Sequence, residues 1–162
     1  RQPELTRAAF DEEGYYRLGD AFVLADPGKP SKGLLYRGRT SEDFKLSSGT
    51  WVHVGALRAK FMDHFNPLVR DVVIAGEGRS ELGALVFPAA GFSREEFEAR
   101  LKALEGTGSS NRIGRVILLE DPPSLDAGEM TDKGTINQKA VLANRAAALE
   151  ELYSDSPRVL RP

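Results

Sequence analysis

Cysteine is absent from the 162 residues, which excludes disulfide frameworks, thiolate catalysis and cysteine-based zinc sites. Histidine is nearly absent too. His53 and His64 are the two in the chain; one falls in a predicted strand and the other on a predicted helix, so both are expected to be structural and no metal site is expected. No apolar run approaches the ~18 residues of a membrane span, and no charged-then-apolar leader opens the chain. Neither a membrane span nor a signal peptide is therefore expected, and the place of action is expected to be cytoplasmic. Charge of one sign is also scarce: the formal net charge is −2, which gives no electrostatic case for nucleic acid. There is no initial Met, and the opening Arg1-Gln2-Pro3-Glu4 reads as a piece of a longer protein.

What is present suits a globular fold. Hydrophobic residues make up 41% and charged residues 28%, enough for a core and a solvated surface. Residues 5–12 predict at best a short helix. Tyr15 to Leu24 reads as a strand broken by Gly19. The Asp26-Pro27-Gly28 to Gly33 run reads as a loop, and Leu34 to Arg39 as a second strand that forms a hairpin with the first. Phe44–Leu46 and Trp51–Val54 predict short strands around the Ser47-Ser48-Gly49-Thr50 turn. Val54, Leu57, Phe61 and Phe65 recur at helical spacing up to Asn66-Pro67. Val72–Ala75 and Leu82–Phe87 predict core strands. Ser93 and Glu96 form a capping box for a helix to about Glu105, with Phe97, Leu101 and Leu104 inward. Arg115–Leu119 predicts a third core strand. An irregular segment from Asp121 to Thr135 leads to one final helix over about 137–153. Short strands alternating with helices argue an α+β fold: a central sheet of about three strands flanked by helices.

Three phrases, in order, carry chemistry. Gly14-Tyr15-Tyr16-Arg17-Leu18-Gly19-Asp20 places a carboxylate at a stiff strand end, where it can accept hydrogen bonds. Gly38-Arg39-Thr40-Ser41-Glu42-Asp43-Phe44-Lys45, with Gly49 soon after, combines a charge-assisted donor with a turn. Glu129-Met130-Thr131-Asp132-Lys133-Gly134-Thr135-Ile136-Asn137-Gln138-Lys139 sets cations in and after an irregular loop. Together these resemble the late motifs of the adenylate-forming superfamily: acyl- and aryl-CoA ligases, luciferases and peptide-synthetase adenylation domains. The spelling of Ser124–Gly134, Ser41–Leu46 and Gly49–Val52 is similar to the feruloyl-CoA synthetases of bacterial aromatic-acid catabolism.

The resemblance implies the C-terminal part of an AMP-forming acid–CoA ligase. Residues 1–41 would end the large N-terminal domain, and 42–162 would form the small swinging domain. Asp20 would bind the ribose hydroxyls, Arg39 the ribose and phosphates, and Lys45 the adenylate. Glu42 or Asp43 would be the hinge. Ser47, Ser48, Gly49, Thr50 and Trp51 would line the pantetheine tunnel of CoA. The family's adenylation lysine falls, by strict count, on Thr135; either Lys133 or Lys139 would then supply the charge. Lys133 is preferred, because a long side chain on an irregular loop can reach a site on another domain. The reaction implied joins a carboxylic acid, such as a hydroxycinnamate like ferulate, to CoA through an acyl-adenylate. It uses ATP with Mg2+, and this fragment alone is expected to be inactive. Two other readings stay open: another acyl- or aryl-acid ligase or carrier-protein-loading adenylation domain, and a stand-alone binding module without catalysis.

Overall fold

The computed structural model describes residues 2–104, 106 and 108–162. The chain divides into two compact units, Arg1–Ser41 and Glu42–Pro162.

In the first unit, helix α1 (Pro3–Ala8) begins with proline at its first position, where a missing N–H costs nothing. Strands β1 (Asp20–Leu24) and β2 (Leu34–Arg39) pair antiparallel, with a bulge between Ala21 and Phe22. The strand expected from Tyr15 starts only at Asp20. The residues before it turn back instead: Arg17 N–H donates to Ala9 O, Phe10 bridges Tyr16, and Asp11 Oδ1 accepts from the Glu13 and Tyr15 amides. Asp11 thus offers the backbone a local turn that competes with strand pairing. Of the described residues in this unit only Gly38 is buried. Tyr15, Leu18, Leu34 and Tyr36 are more than half exposed.

The second unit holds the core. A small hairpin, β3 (Phe44–Lys45) and β4 (Trp51–Val52), leads into α2 (Val54–Phe65). Strands β5 (Val69–Ala75), β6 (Leu82–Pro88) and β7 (Ile113–Leu118) form one sheet in that order, β5 antiparallel and β7 parallel to β6. The parallel step is made through α3 (Arg94–Lys102). β6 is apolar from end to end because it is central and covered on both faces. Val72, Ile74, Leu82, Ala84 and Val86 face Leu57, Phe61, Phe65 and Phe97 of α2 and α3. Val73, Ala75, Leu85 and Phe87 face Val141 and Leu152, from α4 (Gln138–Asn144) and α5 (Ala146–Leu152). The result is an α+β sandwich, helices on both sides of three strands, as the sequence predicts.

Two helix ends differ from expectation. α3 stops at Lys102, with Leu104 half-buried beyond it; Glu105, the expected end, lies outside the described residues. The Ser93 cap is present, its Oγ accepting from Glu96 N–H, but the Glu96 carboxylate pairs with Arg100 rather than closing a capping box. The final helix is two helices. Arg145, at φ −100° and ψ 33°, interrupts it, and its side chain is committed to the preceding loop.

Candidate functional site

The first unit presents one pair of candidate residues. Asp20 and Arg39 are register partners at the open end of the β1–β2 hairpin, so their Cβ atoms lie about 5 Å apart on one face. Both are exposed. Thr40 locks that end, its N–H and hydroxyl both donating to Gly19 O. An acceptor-only carboxylate beside a five-donor guanidinium fits a group carrying both hydroxyls and phosphate.

The second unit presents two more features. In the hairpin, Lys45 and Trp51 face each other across the strands, with Lys45 Nζ 4.9 Å from the indole centroid. Trp51 is 55% exposed, so this is a surface cation–π contact, worth about 0.5–1 kcal/mol. Gly49 takes φ +82° in the connecting turn, a conformation closed to most side chains. Ser48 and Thr50 hydroxyls hydrogen-bond at 2.9 Å, and Ser47 N–H donates to Arg79 O. The turn is therefore fixed against the body of its own unit while its hydroxyls stay at the surface.

Glu42 and Asp43, the two hinge candidates, are not alike. Asp43 Oδ1 accepts from Val54 N–H at 3.0 Å, and Oδ2 accepts from His53 Nδ1–H at 2.8 Å. It thus caps α2 from outside, where the residue before the helix supplies no side-chain cap. Glu42 makes no such bond among the described residues. His64, by contrast, contacts Arg100 O through Nε2 at 2.9 Å.

The last feature is the segment around Lys133. Met130 bridges Ile136, Thr131 N–H donates to Thr135 O, and Gly134 N–H donates to Thr131 O. Thr131 to Thr135 form a small projecting loop whose five residues are all exposed. Lys133 sits at its tip with no ion pair or hydrogen bond among the described residues. Thr135, on which the expected lysine falls by strict count, is exposed at the loop's base, and its N–H is also within 3.2 Å of Thr131 Oγ1. Lys139 is exposed in the first turn of α4.

Both ends of this loop are fastened by residues that sequence reasoning missed. Glu129 is 1% exposed. Its Oε1 accepts from Arg145 Nε at 2.8 Å, and its Oε2 from Arg145 Nη2 at 3.0 Å and Ser124 N–H at 2.9 Å. The Arg145 guanidinium holds the Glu129 carboxyl below the usual carboxylate range, against the opposing effect of burial. At the other end Ile136 is buried, and the Gln138 side chain accepts from Ile74 N–H on the edge of the sheet. A buried Glu in a polar loop and an Arg sixteen positions on have no local pattern that announces them. The one sign in the sequence is that Arg145 falls on the otherwise apolar and small-residue run of the last helix.

Among the described residues no group of three or more His, Asp or Glu side chains is placed to hold a metal, and no helix is long and apolar enough to cross a membrane. Burial pushes the Tyr153 hydroxyl up to about 12. It donates to Glu81 O as part of the packing of α5 on β6, remote from acid–base chemistry at neutral pH.

Comparison with known proteins shows what the chain is similar to. The chain is 30% identical over 167 residues to a carboxylic acid reductase of Mycobacterium marinum, covering 96% of this chain and 14% of that protein. It is 24% identical to a chloroplastic long-chain-fatty-acid–[acyl-carrier-protein] ligase of Arabidopsis thaliana, covering 95% and 23%. The adenylation domain of a carboxylic acid reductase from Segniliparus rugosus, solved with AMP and a co-purified carboxylic acid, superposes with a TM-score of 0.73 at 28% identity, over 94% of this chain and 25% of that one. The chain thus spans under a quarter of the length of these curated relatives. The model of the AMP-binding enzyme C-terminal domain matches residues 42–157, which take in the hairpin, the sheet and the fastened loop, and the chain belongs to that family of adenylate-forming enzymes.

Proposed function

We propose that this chain is part of an AMP-forming acid–thiol ligase, in which the Glu42–Pro162 unit swings on a hinge at Glu42 relative to a larger body to which Arg1–Ser41 belongs. The observation that carries the reading is Lys133: a cation without an ion pair among the described residues, at the tip of an exposed loop with both ends fastened. Adenylation gathers negative charge at the α-phosphate. A cation ~4 Å away, at an effective dielectric near 20, contributes about 4 kcal/mol, or roughly a thousandfold in rate. Asp20 and Arg39 would hold the ribose and phosphates, with Lys45 contributing to the adenylate. After rotation the Ser47–Trp51 turn would line the channel for the pantetheine thiol, a hinge motion that lets one small domain serve two half-reactions. Asp43 is tied to α2, which supports Glu42 as the pivot. Mg2+ would arrive with ATP.

The acceptor is read as CoA and the acid as a hydroxycinnamate such as ferulate, on the spelling of the Ser124–Gly134 segment. A second reading, in which the acyl group passes to a carrier protein, is favoured by the similarity to carboxylic acid reductases and to an acyl-carrier-protein ligase. The test is acid-dependent pyrophosphate release from ATP by the full-length enzyme, with ferulate, benzoate and fatty acids, and with CoA or carrier protein added. Ferulate-dependent release with feruloyl-CoA as product is expected. Absence of release with every acid would remove the ligase reading, and acyl transfer only to carrier protein would replace CoA.

A further inference from the structure

We infer that Glu129 and Arg145 are positioning residues for the Lys133 loop: a buried clamp that keeps the lysine projecting while its unit moves. The inference rests on the assignment of Lys133 above. The clamp is more than one ion pair. Arg145 Nη2 also donates to Pro122 O at 3.2 Å, and the neighbouring Asn144 Nδ2 donates to Ala127 O at 3.0 Å. Asn137 N–H donates to Glu129 O at 2.8 Å, and Glu129 N–H to Ser124 O at 2.9 Å. The break between α4 and α5 therefore grips the incoming strand of the loop, while the start of α4 grips the outgoing one.

The Arg145 guanidinium meets Glu129 in the bidentate geometry that fixes orientation as well as distance. Removing one partner of such a buried pair leaves an uncompensated polar group. The Thr131–Thr135 hairpin then loses the anchor at its base, though its own turn bonds remain. A lysine misplaced by an ångström loses much of its effect on the reacting phosphate.

The test uses Glu129→Gln and, as a second variant that keeps the charge, Arg145→Lys, both in the full-length enzyme. Three quantities are compared with wild type: tryptic cleavage after Lys133 in the folded protein, ATP–pyrophosphate exchange, and thioester formation from supplied acyl-adenylate. Faster cleavage, at least a tenfold loss of exchange and thioester formation unchanged within twofold are expected. Arg145→Lys should fall between Glu129→Gln and wild type. Wild-type cleavage and exchange in a folded Glu129→Gln would overturn the clamp, as would equal loss of both half-reactions in both variants. Lys133→Ala, run alongside, separates the two layers. If it leaves exchange intact, the lysine assignment fails and the positioning role with it. If it abolishes exchange while Glu129→Gln does not, the clamp alone fails.

Discussion

At the scale of single residues, the candidate positions differ in how tightly the fold holds them. Asp43 is held by two bonds to the start of α2; its loss uncaps the helix. Asp43→Ala should therefore destabilise the Glu42–Pro162 unit by about 1 kcal/mol, read as a fall in the chemical-denaturation midpoint, whereas Glu42→Ala should leave that midpoint unchanged. An equal effect of the two would remove the distinction between cap and pivot. Legibility follows the same division. Asp20 and Arg39 are register partners of one hairpin and Lys45 lies in another, so each sits in a short local pattern that the sequence makes visible. Glu129 and Arg145 pair across sixteen positions and two breaks in structure, and each alone looks like a solvated charge. Buried long-range ion pairs leave no periodic trace, so the anchor of the loop is not legible in the sequence.

At the scale of elements, strands and helices were readable wherever one period dominated. α2 was legible from Val54, Leu57, Phe61 and Phe65, all buried. The last helix reads as continuous in the sequence because Leu142, Leu149 and Leu152 keep an apolar face through the break at Arg145. Close packing of α5 on β6 supplies a stability test. A Cβ on Gly83 would lie 2.6 Å from Leu152 Cδ2, and Leu152 is fully buried, so both Gly83→Val and Leu152→Ala should destabilise. For Leu152→Ala the cost is about 2–5 kcal/mol, measured by denaturant unfolding; a change under 0.5 kcal/mol would contradict this packing. The clamp supplies a pH test. Glu129 titrates below its ordinary range because the Arg145 guanidinium, hydrogen-bonded to it, favours its charged form against the opposing effect of burial. A depressed carboxyl stabilises the fold above its unfolded pKa, about 4.3, and that stabilisation is lost as pH falls through the folded value. The melting-temperature difference between wild type and Glu129→Gln should therefore be full at pH 6 and shrink towards pH 3. A difference constant over that range would argue that Glu129 is not charged in the fold.

At the scale of the whole molecule, the two units are unequal partners. Glu42–Pro162 has apolar layers on both faces of its sheet, and should unfold cooperatively by itself. Arg1–Ser41 buries only Gly38 among its described residues, and a two-stranded hairpin is marginal in water; as an isolated peptide it should show no cooperative melting by circular dichroism. A cooperative transition from residues 1–41 would contradict that.

In the proposed function one cation serves the first half-reaction and is withdrawn for the second. The most direct measurement is the ratio of the two half-reaction rates in full-length enzyme carrying Lys133→Ala. ATP–pyrophosphate exchange should fall by about a thousandfold, with thioester formation from supplied acyl-adenylate near the wild-type rate. Exchange at the wild-type rate, or a parallel loss of both, would contradict it.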